Sequence, residues 1–303
     1  MSRKILLSSV VVVAAAAAVV GATTAFFSDT ETSTGNVFTA GSIDLKVDSD
    51  CHYWNYVGDV EGADENGYVD VGCGKVGANG VGVGQWSEND LEDGVHKFFS
   101  FNDLKPGDKG EDTISLHVYD NDAWGRINFN MRDNDDNGLT EPESDVDSTD
   151  GADNGELLSA MGSSFRMWLD QGEVPGFQND NPVEWVDAAG NPVEGFVDVT
   201  EGDNVWQDGE PEVYLDRRVD LRDVLQTAWS WGGCEVGSDG HNDYDVCNGL
   251  AQDGRLVGST TYYLGFEWAL PLDTTNEVQT DSLGGDLGFE VVQHRNNPNP
   301  WEL

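Results

Sequence analysis

The chain has 303 residues, enough for one large or two ordinary domains with a buried core. It carries 57 acidic against 15 basic residues, a net charge of −42, yet it also holds 10 Trp, 8 Tyr and 12 Phe. The aromatic content excludes wholesale disorder, and the charge excludes nucleic acid and anionic membrane surfaces as partners.

The acids are spread over nearly every segment instead of being gathered in a tail, and Lys is scarce. At molar salt the Debye length falls to roughly 3 Å, which screens the self-repulsion of such a surface. The composition therefore reads as that of a halophile protein.

The chain opens with Arg3 and Lys4, an apolar run from Ile5 to Gly21, and the small residues Thr23-Thr24-Ala25. This order predicts a secretory signal over 1–25, cut between Ala25 and Phe26. The run is short of the ~20 residues of a spanning helix, so a retained anchor is the alternative reading. Cleavage would free Phe26-Phe27-Ser28-Asp29-Thr30-Glu31 and the polar residues after it, ahead of a strand-like piece, Ile43 to Val47. Export also places Cys51, Cys73, Cys234 and Cys247 in an oxidising compartment, where an even count favours two disulfides. Three pairings satisfy four cysteines, and proximity in the chain favours Cys51–Cys73 with Cys234–Cys247.

Residues 51–89, rich in Gly, Asp and Asn, read as a long surface excursion. Strands are expected over 95–101, 113–119, 124–131 and 165–169, with a Pro-Gly turn at Lys105-Pro106-Gly107-Asp108. A loop is expected over 133–143, a short helix over 155–161, and loops with one strand over 170–209. A short strand over 212–215 precedes a longer helix over 219–229, whose apolar spacing suits one helical face. Strands over 260–270 and 287–294 close the chain. The pattern has no βαβ alternation. It predicts an all-β class, a jelly-roll-like β-sandwich with long acidic loop insertions and one or two short helices, built as one domain over 37–303.

Ala25-Phe26-Phe27-Ser28-Asp29-Thr30-Glu31 followed by Asn36-Val37-Phe38-Thr39-Ala40-Gly41-Ser42-Ile43-Asp44-Leu45 resembles the N-terminus of TasA/camelysin-family proteins. Asp103-Leu104-Lys105-Pro106-Gly107-Asp108 resembles that family's turn between early strands, and Glu267 to Pro271 with Leu287 to Gln293 resemble its closing strands. The anchors occur in family order over about a third of the chain, and the acidic insertions look like those of haloarchaeal members. The resemblance implies a secreted jelly-roll subunit of biofilm-matrix fibres or bundling pili, released by a SipW-type signal peptidase. It also implies that residues 26–36, with Phe26 and Phe27 as apolar anchors, add as a donor strand to the next copy of the chain. Such a head-to-tail contact propagates as a filament. After cleavage no membrane partner is expected.

Asp133, Asp135 and Asn137 stand at positions 1, 3 and 5 of a calcium loop, with Gly138 at 6, the Leu139 carbonyl at 7 and Glu141 at 9. Position 12 is Ser144, with Glu143 beside it, and no helices flank the loop. A structural Ca2+ is therefore expected there, with Glu156 and Asn179-Asp180-Asn181 as further donors. A solvated acidic loop is the alternative. Camelysin-type relatives have been classed as metallopeptidases, but the five His (52, 96, 117, 241, 294) are isolated and form no HExxH, so catalysis is not expected. The alternative to a fibre subunit is a monomeric surface or matrix β-sandwich, carbohydrate-binding through Trp229 and Trp231 or Tyr262 and Tyr263.

Overall fold

A computed structural model describes residues 43–73, 83–101, 103–170, 205–206, 210–214, 218–231, 246–247 and 249–301. Every described residue belongs to the compact unit Gly41–Leu303. The donor segment and the cleavage site thus lie outside the described residues, as do Cys234 and most of 170–209.

The larger sheet is antiparallel and is built on three long strands, β1 (Asp44–Tyr56), β4 (Lys109–Tyr119) and β11 (Thr260–Ala269). Short strands flank them in the order β2-β1-β4-β11-β6-β7, with β3 also on β1. These are β2 (Tyr68–Asp70), β3 (Gln85–Asn89), β6 (Arg166–Leu169) and β7 (Glu212–Val213). A second antiparallel sheet runs β12-β5-β8, from β12 (Ser282–Gln293), β5 (Ala123–Asp135) and β8 (Val219–Asp220). The small hairpin β9 (Val246–Cys247) and β10 (Leu250–Ala251) joins it through bridges at Leu256.

Alternation explains the layering. Leu45 and Val47 of β1, Ile114, Leu116 and Val118 of β4, and Tyr262, Leu264 and Phe266 of β11 share one face by register. That face packs with Ile127, Leu287 and Phe289 of the second sheet in one hydrophobic core, making an all-β sandwich as expected. Helix α1 (Leu157–Met161) is short, and helix α2 (Leu221–Trp231) presents Leu221, Val224, Leu225, Ala228 and Trp229 to the core. No described helix is long and apolar enough to cross a membrane.

Three expectations shift. Residues 51–56 belong to β1, so the excursion starts later, because Cys51 and Tyr53 continue the alternation across from Asp112 and Gly110. The expected strand 95–101 is a loop, whose Phe98 and Phe99 pack on Trp86 at 4.9 Å and on Phe266 at 4.7 Å. Helix α2 begins at Leu221 because Val219 and Asp220 pair with Ile127 and Arg126. Asp220 then caps the helix by accepting the Arg222 N–H at 3.0 Å.

Candidate functional site

The turn Asp103–Asp108 shows why its residue types are needed. Gly107 takes φ +96°, and Asp108 is buried with both carboxylate oxygens engaged. Its Oδ2 accepts from the Tyr53 hydroxyl and the Lys105 N–H, both at 2.9 Å, and its Oδ1 from the Tyr56 N–H at 3.1 Å. Burial, then the Asp108 carboxylate, pushes the Tyr53 phenol well up. The turn is thereby bolted to β1, and the Gly107 N–H reaches the Leu270 carbonyl at the end of β11.

One strand turn further, Cys51 and Cys73 form a disulfide with Cα atoms 5.7 Å apart, the first of the two expected pairings. A Cβ on Gly84 would lie 2.8 Å from Cys51 Cβ, so only glycine lets that segment pass the bridge. Below it, Asp112 is wholly buried and its carboxyl pKa is raised strongly, first by burial. Ser49 Oγ lies 2.8 Å from Asp112 Oδ1 and 3.0 Å from the Gly84 carbonyl. One hydroxyl proton cannot serve both acceptors. A protonated Asp112 resolves this, donating to Ser49, which donates to Gly84.

The sheet edges differ in length. On the large sheet the outer strands β2, β3 and β7 are two to five residues long, which blunts them against further pairing. On the small sheet β12 is a 12-residue edge that, among the described residues, pairs only with β5. No residue of β12 is fully buried, although Leu283, Leu287, Phe289 and Val291 lean against the core.

The expected calcium ligands are not the carboxylates that converge. Asp133 and Asp135 are strand residues of β5; Asp135 Oδ1 accepts from the Asp153 N–H at 3.0 Å, and Asn137 Nδ2 donates to the Thr280 carbonyl at 3.0 Å. Leu139 is exposed, as is Glu141. One position along, Asp136 (2% exposed), Glu143 (0%) and Asp281 place ligand oxygens within 4.8 Å of one another. Sequence reading passed over Asp136, and it had no signal for Asp281, which is distant in the chain. Glu156, named as a further donor, stands beside them: its N–H and that of Leu157 donate to Asp281 Oδ2 at 2.6 and 2.8 Å.

The described histidines are engaged elsewhere. His117 lies 2.6 Å from Asp48, and its pKa is raised by that hydrogen bond. His294 meets Asp253 at 3.0 Å, His96 Nδ1 accepts from the Glu92 N–H, and His52 stacks on Trp54. Of the aromatics considered as a sugar platform, Trp229 and Tyr262 are core residues at 9% and 1% exposure.

Residues 1–60 match a family model described as camelysin metallo-endopeptidase. No curated protein sequence matches the chain. A catalytic zinc is held by His and Cys with a carboxylate at most in part. Among the described residues the one group with metal-ligand spacing is all carboxylate, so these residues do not fit a peptidase zinc. The matched stretch contains β1 and the segment ahead of it, where Ala25 to Leu45 carry the TasA/camelysin resemblance, and it supports that relationship at the N-terminal end of the chain.

Proposed function

We propose that the chain is a secreted subunit of an extracellular or biofilm-matrix fibre, released by a SipW-type signal peptidase and assembled by strand addition. Residues 26–36 of one copy add to the β12 edge of the next. The observation that carries this reading is β12 itself. A 12-residue edge with half-buried apolar side chains invites pairing, and soluble proteins normally shorten, charge or cover such edges. Within β12, Asp286 and Glu290 are the charged residues, and Arg132 and Arg126 of β5 pair with them. Main-chain hydrogen bonds from an incoming strand would satisfy the open edge and complete the burial of Leu287, Phe289 and Val291. The family match over residues 1–60 supports the same reading from the donor's end. The role is structural, and the buried positions of Trp229 and Tyr262 give a sugar platform no support.

The test uses purified protein without its leader, in molar NaCl, imaged by negative stain. Filaments are expected from the chain beginning at Phe26 and not from one lacking 26–36. An excess of synthetic 26–36 peptide should block growth and slow amide exchange in β12. Filaments that form equally well without the segment would rule out strand addition by it. Filaments lost on deletion, with β12 exchange unchanged by the peptide, would move the acceptor elsewhere.

A further inference from the structure

We propose that Asp136, Glu143 and Asp281 form a calcium site that ties the 136–143 loop to the residues leading into β12. The support is an imbalance of hydrogen-bond partners. Asp136 Oδ1 accepts from the Gly138 N–H at 3.1 Å; Glu143 Oε2 accepts from the Thr140 N–H at 3.0 Å, and its Oε1 from the Thr280 N–H at 3.2 Å. Thr280 Oγ1 lies 3.2 Å from both Glu143 oxygens and 3.3 Å from Asp136 Oδ1, and it also touches the Gly138 carbonyl. Its single proton can serve only one of these four acceptors.

Two further oxygens, Asp136 Oδ2 and Asp281 Oδ1, are buried with no donor at all. Asp136 is 98% removed from solvent, so water does not relieve it. Among the described residues no Lys, Arg or His pairs with any of the three carboxylates, although most described cations of the chain are in ion pairs elsewhere. A buried carboxylate without a counter-charge must be neutralised by a proton or a cation.

The donor set selects the ion. Every ligand is a hard oxygen: three carboxylates, the Gly138 carbonyl and the Thr280 hydroxyl. Calcium takes six to eight such oxygens at about 2.3–2.6 Å, so two oxygens sharing one ion stand at most about 5 Å apart. The three carboxylate ligand atoms satisfy that limit at 4.8 Å. Zinc and copper prefer nitrogen or sulfur and find neither here. The site draws on a loop and on Thr280-Asp281, separated by more than 130 residues, so an ion bound there would cross-link the end of β5 to the start of β12.

The test is independent of filament assembly. Purified protein stripped with EDTA in molar NaCl is titrated with CaCl2 by calorimetry and melted with and without the ion. One saturable Ca2+ per chain is expected, with a Tm rise of roughly 5 °C at saturation. Asp281→Asn, which keeps the size of the side chain and an acceptor oxygen for the Glu156 and Leu157 N–H groups, should lose both responses, whereas Asp133→Asn should keep them. No saturable binding by the wild type, or unchanged binding by Asp281→Asn, would overturn the site. An equal response to MgCl2 would overturn calcium as its ion. A wild type indifferent to calcium, with a higher Tm for Asp281→Asn in EDTA, would show that protons neutralise the cluster and would also overturn it.

Discussion

Asp112 sits in the middle of the central strand, and its chemistry follows from one hydroxyl proton being asked to serve two acceptors. Burial raises its pKa above the ordinary aspartate value, so the folded state holds a proton that the unfolded state releases near pH 4. Stability is then lost as pH rises from that point through the folded pKa. His117 acts in the same direction, since its bond to Asp48 raises its pKa; that contribution is complete below about pH 6.5 and fades above the folded value. The expected outcome is a Tm that declines from pH 5 to pH 8 in constant molar salt. Asp112→Asn mimics the protonated acid and should flatten the slope while matching or exceeding wild-type Tm at pH 8. A variant less stable than wild type at pH 8, with the slope intact, would show that Asp112 is ionised in the fold. None of this was legible in the sequence. Glu111-Asp112 reads there as two more surface acids, and only pairing with β1 and β11 on both sides reveals that both are buried.

At the scale of elements, β4, β5, β6 and β11 were legible because alternation or an aromatic run marked them, and they build the centre of the sandwich. The loop 95–101 was misread because three Phe in four residues imitate a strand while serving as plugs between the sheets. The start of β12 was missed because Gly284 and Gly285, at a register shift opposite Asp133 and Met131, dilute its apolar signal. The same miss hid the acidic cluster, whose third carboxylate lies just ahead of that strand. The Cys51–Cys73 pairing was legible from proximity alone. It closes a 22-residue separation, and removing it should destabilise the fold by about 3 kcal/mol. Cys51→Ser with Cys73→Ser should therefore lower the urea midpoint, and dithiothreitol should do the same to the wild type. If both leave the midpoint unchanged, β1 and the segment that follows β2 are held by the sheet alone.

For the whole molecule the governing quantity is charge. With 57 acids against 15 bases, most carboxylates have no cation to meet even if every base is paired. The bases are used locally: Arg126 bridges Glu290 across two strands, Arg166 meets Glu267, and Arg255 reaches both Asp122 and Asp253. The remaining acids repel at range, and salt sets that range, from about 10 Å at 0.1 M to about 3 Å at 1 M. Tm should accordingly climb steeply with NaCl and level off above about 1 M, where the screening length is shorter than the gap between neighbouring surface charges. KCl should reproduce the curve, because screening depends on ionic strength and not on the cation's identity, whereas sucrose should not. Assembly should be steeper in salt than folding, since each added subunit brings two surfaces of the same sign together. A Tm that is flat in NaCl, or that rises equally in sucrose, would remove screening as the source of stability and with it the halophile reading of the composition.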